Sequence, residues 1–131
     1  MKYLCFGYLD TTLWASKSDA EQQAMIDACF TYDDELRKTG AWVWGEAIQG
    51  PENATTLQYR NGKVAVTDGP FVESKELLGG LLILEARDLN HAIQLISTHP
   101  GVKMGTWEIR PANDITPMIK ESEGRRRAIP K

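Results

Sequence analysis

The chain has 131 residues, of which 42% are hydrophobic and 25% charged, and its formal net charge is −3. This balance is typical of a single globular domain and excludes a disordered or fibrous chain. Because no basic excess steers it toward polyanions, we do not expect binding to nucleic acid or to an anionic membrane surface. No apolar run approaches the roughly 18 residues that a membrane-spanning helix needs.

The first residues do not show the pattern of an export signal, since Met1-Lys2 leads directly into a predicted strand. The chain has only two cysteines, Cys5 and Cys29. So few cysteines suit a reducing compartment in which both remain thiols. We therefore expect a cytoplasmic protein.

Residue patterns in the first half predict a strand, a helix and a second strand. Ser18 and Glu21 match a capping box, in which each side chain satisfies a backbone donor at a helix start. An apolar stripe at helical spacing follows, and Gly40 is a typical helix stop. The large residues of the next segment alternate, so Trp42 and Trp44 are expected on one face of a strand. The predicted ranges are residues 2–9, 19–39 and 41–49.

The second half begins with a predicted β-hairpin around Asn61-Gly62, a dipeptide that tolerates the positive φ angles of a tight turn. Asp88 is a candidate cap for a second long helix. The predicted ranges are strands 55–60 and 63–67, strand 79–86, helix 89–98 and strand 104–110.

This order consists of two split βαβ units with an inserted hairpin, which predicts an α+β domain of the ferredoxin-like class. The helices would cover one face of the sheet, leaving apolar residues on the other face. The candidates for that second face are Tyr8, Trp42, Trp44 and Trp107. A homodimer that packs sheet on sheet would cover it. We place the domain at residues 1–111 and a C-terminal surface arm at 112–131.

Four segments in order carry a family resemblance: Gly45-Glu46-Ala47, Thr67-Asp68-Gly69-Pro70-Phe71, Glu73 to Gly80, and Trp107-Glu108-Ile109-Arg110-Pro111. Over residues 2–111 the chain resembles the DGPF subgroup of the YCII-related proteins. That resemblance implies a bacterial, cytosolic, dimeric α+β barrel. It also implies a regulatory link to extracytoplasmic-function sigma factors.

Asp68 has two interpretations. As a turn residue it bonds its own downstream backbone, while Gly69 and Pro70 set the chain direction. As a functional residue it stands at a strand end beside Phe71, where partial burial would raise its pKa and suit it to proton transfer. The sequence leaves both open.

The wider YCII-related group implies an acid–base dyad, with a histidine on the first long helix and an aspartate near the end of the second. By position, these places are held here by Cys29 and His99. The two residues could form a thiolate–imidazole pair. Alternatively, Cys29 is a core residue and His99 ends a helix.

We therefore expect a small-molecule-binding dimer with a pocket near the Asp68 turn. An alternative is a cofactor-free isomerase or lyase that uses Asp68 or His99 as its general acid or base. Another is an accessory protein of a sigma factor. The spacing of cysteines and histidines predicts no metal site, and we expect no cofactor. The predicted ligand-binding residues are Tyr8, Trp44, Asp68, Gly69, Pro70, Phe71 and Arg110.

Overall fold

The computed structural model describes residues 1–128, which contain six strands and four α-helices. The strands are β1 (Lys2–Asp10), β2 (Trp42–Ala47), β3 (Thr55–Arg60), β4 (Lys63–Asp68), β5 (Glu76–Glu85) and β6 (Trp107–Pro111). The helices are α1 (Thr11–Ala15), α2 (Asp19–Lys38), α3 (Leu89–Ser97) and α4 (Thr116–Ala128). Short 3₁₀ helices lie at Pro51–Asn53 and Pro100–Met104.

The main sheet has the strand order β2-β5-β1-β6, and each neighbouring pair is antiparallel. With the hairpin set aside, this is the order that two split βαβ units produce. The capping box of α2 is present, because Glu21 N–H donates to Ser18 Oγ and Ser18 N–H donates to Glu21 Oε1. The ferredoxin-like α+β prediction is confirmed.

The core lies between the sheet and helices α2 and α3. Cys5 and Leu84 are fully buried on the sheet, and they form one cluster with Leu36 of α2 and Ile96 of α3. We call this side of the sheet the helix-covered face. Opposite it lies the open face, defined by Leu4, Phe6, Trp44, Leu81 and Ile83. None of these five residues is buried.

A bulge in β2 separates its two tryptophans. Trp42 lies opposite Leu84 and Trp44 lies opposite Ile83, so the register shifts between them. Because cross-strand partners share a face, Trp42 points to the helix-covered face and Trp44 to the open face. The prediction that both occupy one face is therefore wrong. Trp107 also packs on the helix-covered face, against the main core cluster.

The predicted hairpin is confirmed as a separate two-stranded sheet of β3 and β4. Asn61 and Gly62 have φ angles of 52° and 76°, as a tight turn of this kind requires. One face of the hairpin carries apolar cross-strand pairs, Leu57 with Val66 and Tyr59 with Val64, and all four side chains are exposed.

The C-terminal arm contains α4, a helix that its polar composition does not predict, and no residue of α4 is buried. Among residues 1–128, no helix has both the length and the apolar character needed to cross a membrane. The last three residues of the arm, 129–131, lie outside the described range.

Candidate active site

A carboxylate and an imidazole meet between α2 and the segment that follows α3. Asp33 Oδ1 lies 3.0 Å from His99 Nε2, although the two residues are 66 positions apart. His99 is 5% exposed and Asp33 is 14% exposed. The pair is therefore largely shielded from water, where an interaction between charged or polar groups is stronger than at the surface.

Both ring nitrogens of His99 are engaged. The backbone N–H of Gly101 donates to Nδ1 at 2.9 Å, so Nδ1 acts as an acceptor. In the neutral ring the proton then resides on Nε2, which donates it to Asp33. His99 is thus held as a hydrogen-bond donor to the carboxylate.

Two aromatic side chains fix the plane of this ring. Tyr32 meets His99 edge-on, with ring centroids 5.1 Å apart, and Trp107 lies tilted at 5.3 Å. Tyr32 is itself held, because its hydroxyl is within 2.7 Å of Thr98 Oγ1. Two aromatic neighbours and two hydrogen bonds hold the ring in one orientation, which is what a preorganised site needs.

The second oxygen of Asp33, Oδ2, has no hydrogen-bond partner within residues 1–128. Every buried side-chain nitrogen or oxygen in that range does have a partner. Oδ2 is therefore not completely buried. The pair thus leaves one carboxylate oxygen without a hydrogen bond to residues 1–128.

A cavity of about 290 Å³ adjoins the pair, and we call it the dyad cavity. Asp33 and His99 line it together with the aromatic side chains of Phe30, Trp42 and Trp107 and with three glycines, Gly45 of β2 and Gly79 and Gly80 of β5. A side chain at position 45 would collide with Trp42, since a Cβ there would lie 2.5 Å from the indole ring. Glycine at this position therefore keeps the cavity wall flat.

Arg37 brings a positive charge to the same cavity. Its guanidinium lies 4.1 Å from the Trp42 ring centroid and donates to Asp34 at 2.9 Å. The Arg37 side chain is half-exposed. Its stacking on Trp42 nevertheless directs it toward the cavity.

Cys29 lies one helical turn before Asp33, but it has no hydrogen bond to His99. Burial and the negative charge of Asp33 raise the pKa of the Cys29 thiol, while the Gly101 backbone N–H acts in the opposite direction. Burial also raises the pKa of Cys5 to about 11. Both cysteines are free thiols, and neither environment favours the thiolate.

The Asp68–Phe71 turn has different surroundings. Gly69 has a φ of 101°; its N–H donates to Ala54 O at 2.8 Å, and its carbonyl accepts from Thr56 Oγ1 at 2.7 Å. Asp68 is exposed and Phe71 is 75% exposed. The bonds that shape the turn are thus made by its backbone.

A second cavity, of about 810 Å³, adjoins this turn, and we call it the turn cavity. Of the predicted ligand-binding residues, Tyr8 and Pro70 line it. Trp44 is on the open face, and Arg110 pairs with Glu108 at 2.6 Å and lies 6.0 Å from the Phe6 ring centroid. The structure therefore does not gather the predicted ligand-binding residues around one cavity.

No group of three or more metal-ligating side chains occurs within residues 1–128. His91 accepts a hydrogen bond from the Arg87 N–H, at the start of α3 and away from His99.

Sequence reasoning identifies His99 but misses Asp33. The sequence signal that could have identified Asp33 is weak. It consists of an acidic residue at the edge of the apolar stripe of α2, between Tyr32 and the buried Leu36. An acidic residue beside such a stripe either faces solvent or meets a polar partner from another element. Only the packing of α2 against the segment after α3 decides between the two.

Comparison with known proteins establishes the family. The model of the YCII-related domain matches residues 1–116. The chain belongs to the YCII-related family. An uncharacterised protein of Rhizobium meliloti (strain 1021) is 36% identical over 118 residues, which cover 85% of this chain and 91% of the relative.

Among solved structures, 5-chloro-2-hydroxyhydroquinone dehydrochlorinase (TftG) from Burkholderia phenoliruptrix AC1100, in complex with 2,5-dihydroxybenzoquinone, is similar to this YCII-related chain. The match covers 86% of this chain and 94% of that one, with 17% identity and a TM-score of 0.46. At that level of likeness it supports no conclusion about the chemistry of the present chain.

Proposed function

We propose that this YCII-related protein is a cofactor-free acid–base enzyme of the isomerase or lyase type, acting on a small substrate in the dyad cavity. The observation that carries this proposal is the hydrogen bond between Asp33 and His99, with one carboxylate oxygen left free beside a cavity. A titratable pair that lines a cleft is the arrangement proton-transfer enzymes use.

In this proposal, Asp33 is the group that exchanges a proton with the substrate. Its Oδ2 accepts a proton from a C–H or O–H group, while His99 Nε2–H stays bonded to Oδ1 and holds the carboxylate in place. His99 is a positioning residue, because Gly101 occupies its other nitrogen. Returning the proton to another substrate atom completes an isomerisation, and expelling a leaving group completes an elimination.

The walls of the cavity suit the intermediate of such a reaction. Removing a proton beside a carbonyl leaves a negative charge on the carbonyl oxygen, and Arg37 is the cation that lines the cavity near Asp33. Trp42 and Trp107 provide apolar surface for a compact substrate. At about 290 Å³ the cavity is at the lower end of the range for small-molecule sites.

Deuterium exchange tests this function without a known product. The chain is incubated in D₂O with small carbon acids such as acetylacetone, 2-oxobutanoate and cyclohex-2-enone, and exchange is followed by ¹H NMR. We expect Asp33→Asn to slow catalysed exchange by about 10²- to 10⁴-fold, the usual contribution of a positioned acid or base. Asp68→Asn is the matched control and retains the rate. Exchange that persists in Asp33→Asn contradicts the proposal.

A second candidate function is small-molecule binding in the turn cavity, which is favoured by its volume of about 810 Å³ and by its position beside Pro70. This volume is within the usual range for ligand sites. The two functions are compatible, because the cavities occupy successive stretches of β5: Leu77 and Leu78 line the turn cavity, and Gly79 and Gly80 line the dyad cavity.

We also propose that the open face is covered by a second copy of the chain. Its apolar side chains are half-buried or exposed, whereas Tyr3, Cys5, Leu82 and Leu84 on the other face are buried. A contiguous apolar sheet face of this kind is typical of an interface. The DGPF subgroup, the sigma-factor link and the cytoplasmic location stay predictions.

A further inference from the structure

The walls of the turn cavity are largely apolar. They are formed on one side by the ends of the main strands, with Ile48, Leu77 and Leu78, and on the other by Val72 and Pro70 after the hairpin. The turn cavity has more than twice the volume of the dyad cavity. Such walls can bury the hydrocarbon part of a ligand.

The charges around this cavity have one sign. Glu52, Glu73 and Glu76 line it, and no lysine, arginine or histidine does. None of the three carboxylates forms an ion pair within residues 1–128. Lys75 lies in the same segment, but it is exposed and does not line the cavity. Carboxylates around a cleft with low-dielectric walls concentrate a negative potential inside it.

Tyr8 adds a neutral polar group to the wall that β1 contributes. Its side chain is half-buried, and among residues 1–128 the tyrosine hydroxyls that form hydrogen bonds are those of Tyr3 and Tyr32, so the Tyr8 hydroxyl is available to a ligand. A hydroxyl in this state can accept a hydrogen bond from an N–H donor of a ligand. The cavity therefore combines apolar surface, an available hydroxyl and uncompensated negative charge.

We propose that the turn cavity binds a small organic cation, an amine with an apolar body. This inference rests on the proposed binding of a small molecule in that cavity, and it adds the charge of the ligand. The ammonium group would lie near the glutamates and Tyr8, and the hydrocarbon part would lie against Leu77, Leu78 and Val72. A cation with unpaired carboxylates nearby gains Coulomb energy that a neutral molecule does not.

Three probes of equal length and different charge test this: hexylammonium chloride, hexan-1-ol and sodium hexanoate. Each is titrated into the ¹⁵N-labelled full chain at low salt, and the backbone amide signals of Ile48, Leu77 and Leu78 are followed by NMR. We expect hexylammonium to shift these signals and to bind about tenfold more tightly than hexanoate. Added sodium chloride should weaken hexylammonium binding, since salt screens exposed charges.

Two variants test whether a carboxylate of the turn cavity contributes to the binding of hexylammonium. Glu76→Gln should weaken hexylammonium binding by about two- to fivefold, as expected for a partly exposed ion pair. Glu121→Gln, in α4 and outside the cavity, is the matched control and should leave binding unchanged. Circular dichroism confirms that each variant is folded.

The outcomes distinguish two claims: that the turn cavity binds a small molecule, and that this molecule is a cation. Equal affinity for all three probes, or tighter binding of hexanoate, overturns the cationic ligand and leaves small-molecule binding in place. If no probe shifts the signals of Leu77 and Leu78, both the cationic ligand and the proposed turn-cavity site are wrong. Neither result bears on deuterium exchange at Asp33.

Discussion

The Asp33–His99 pair and the Asp68–Phe71 turn place an aspartate in opposite surroundings. Asp33 is largely shielded and bonded to a fixed imidazole, whereas Asp68 is exposed in a turn whose bonds are made by the backbone. The turn is conspicuous in the sequence because Gly and Pro mark it. The pair is inconspicuous there, yet the fold brings its carboxylate and imidazole to 3.0 Å of each other. An aspartate that stands out in the sequence, such as Asp68, is therefore not the one that the fold places beside an imidazole.

The largest expected effect concerns two glycines, one in each region. Gly105 ends the 3₁₀ helix that follows His99, and a Cβ there would lie 1.8 Å from the carbonyl oxygen of Tyr8. The added Cβ is fixed by its own backbone and the oxygen that it meets belongs to another backbone segment, so neither can rotate away. We therefore expect Gly105→Ala to cost more than about 4 kcal/mol of unfolding free energy. Gly69→Ala meets no atom within 4 Å and should cost about 1–2 kcal/mol, from its positive φ alone.

Urea unfolding followed by circular dichroism measures the loss of unfolding free energy in both variants. Similar losses for the two variants would show that the turn is as tightly constrained as the segment that holds His99.

The next effect concerns association. Phe6 lies in the middle of the open face, and Phe71 is a single exposed aromatic in the turn. We expect Phe6→Glu to weaken dimerisation by at least about 100-fold, because it places a charged group in the middle of an apolar interface. Phe71→Glu should leave it intact.

Light scattering at micromolar concentration reports the mass. The wild-type chain should show twice the 14.7 kDa of one chain, and Phe6→Glu should show a single copy. A wild-type monomer would remove the basis for the sheet-on-sheet dimer.

The smallest expected effect is on the reactivity of Cys29, which reports the charge of Asp33 in the Asp33–His99 pair. The charge of Asp33 helps to raise the pKa of this thiol, so Asp33→Asn should lower that pKa and increase the thiolate fraction at pH 8. We expect iodoacetamide to alkylate Cys29 about two- to fivefold faster in Asp33→Asn. Asp34→Asn, which removes the neighbouring exposed carboxylate, should not change the rate.

Mass spectrometry of tryptic peptides distinguishes the two cysteines. Cys5, with its pKa raised to about 11 by burial, should stay unmodified in the folded chain. An unchanged or slower rate at Cys29 in Asp33→Asn would mean that the Asp33 charge does not reach the thiol.

Local signals in the sequence predict most of this fold. The capping box of α2, the Asn61-Gly62 hairpin and the order of split βαβ units each depend on residues close together in the chain, and the structure contains all three. The polar C-terminal segment gives no periodic apolar pattern, so α4 is missed. In α4 no side chain is buried, and a helix without a packed face leaves little trace in the sequence.

The candidate site is predicted only in part, because it is assembled from distant segments. His99 is identified through the family resemblance, but its partner is on the other long helix, 66 residues away. The alternation of Trp42 and Trp44 is misleading for a related reason. It assumes a regular strand, and the register shift depends on how β2 pairs with β5.

That register shift has a consequence for how the protein can change over evolutionary time. One extra residue in β2 assigns Trp42 to the dyad cavity and Trp44 to the face proposed for the second copy. Because Trp42 and Trp44 pair with the consecutive residues Leu84 and Ile83, removing Val43 would remove the bulge and leave each tryptophan on its present face. Val43, whose side chain is exposed, is therefore a position where the strand can vary in sequence and in length while Trp42 stays in the dyad cavity and Trp44 stays on the open face.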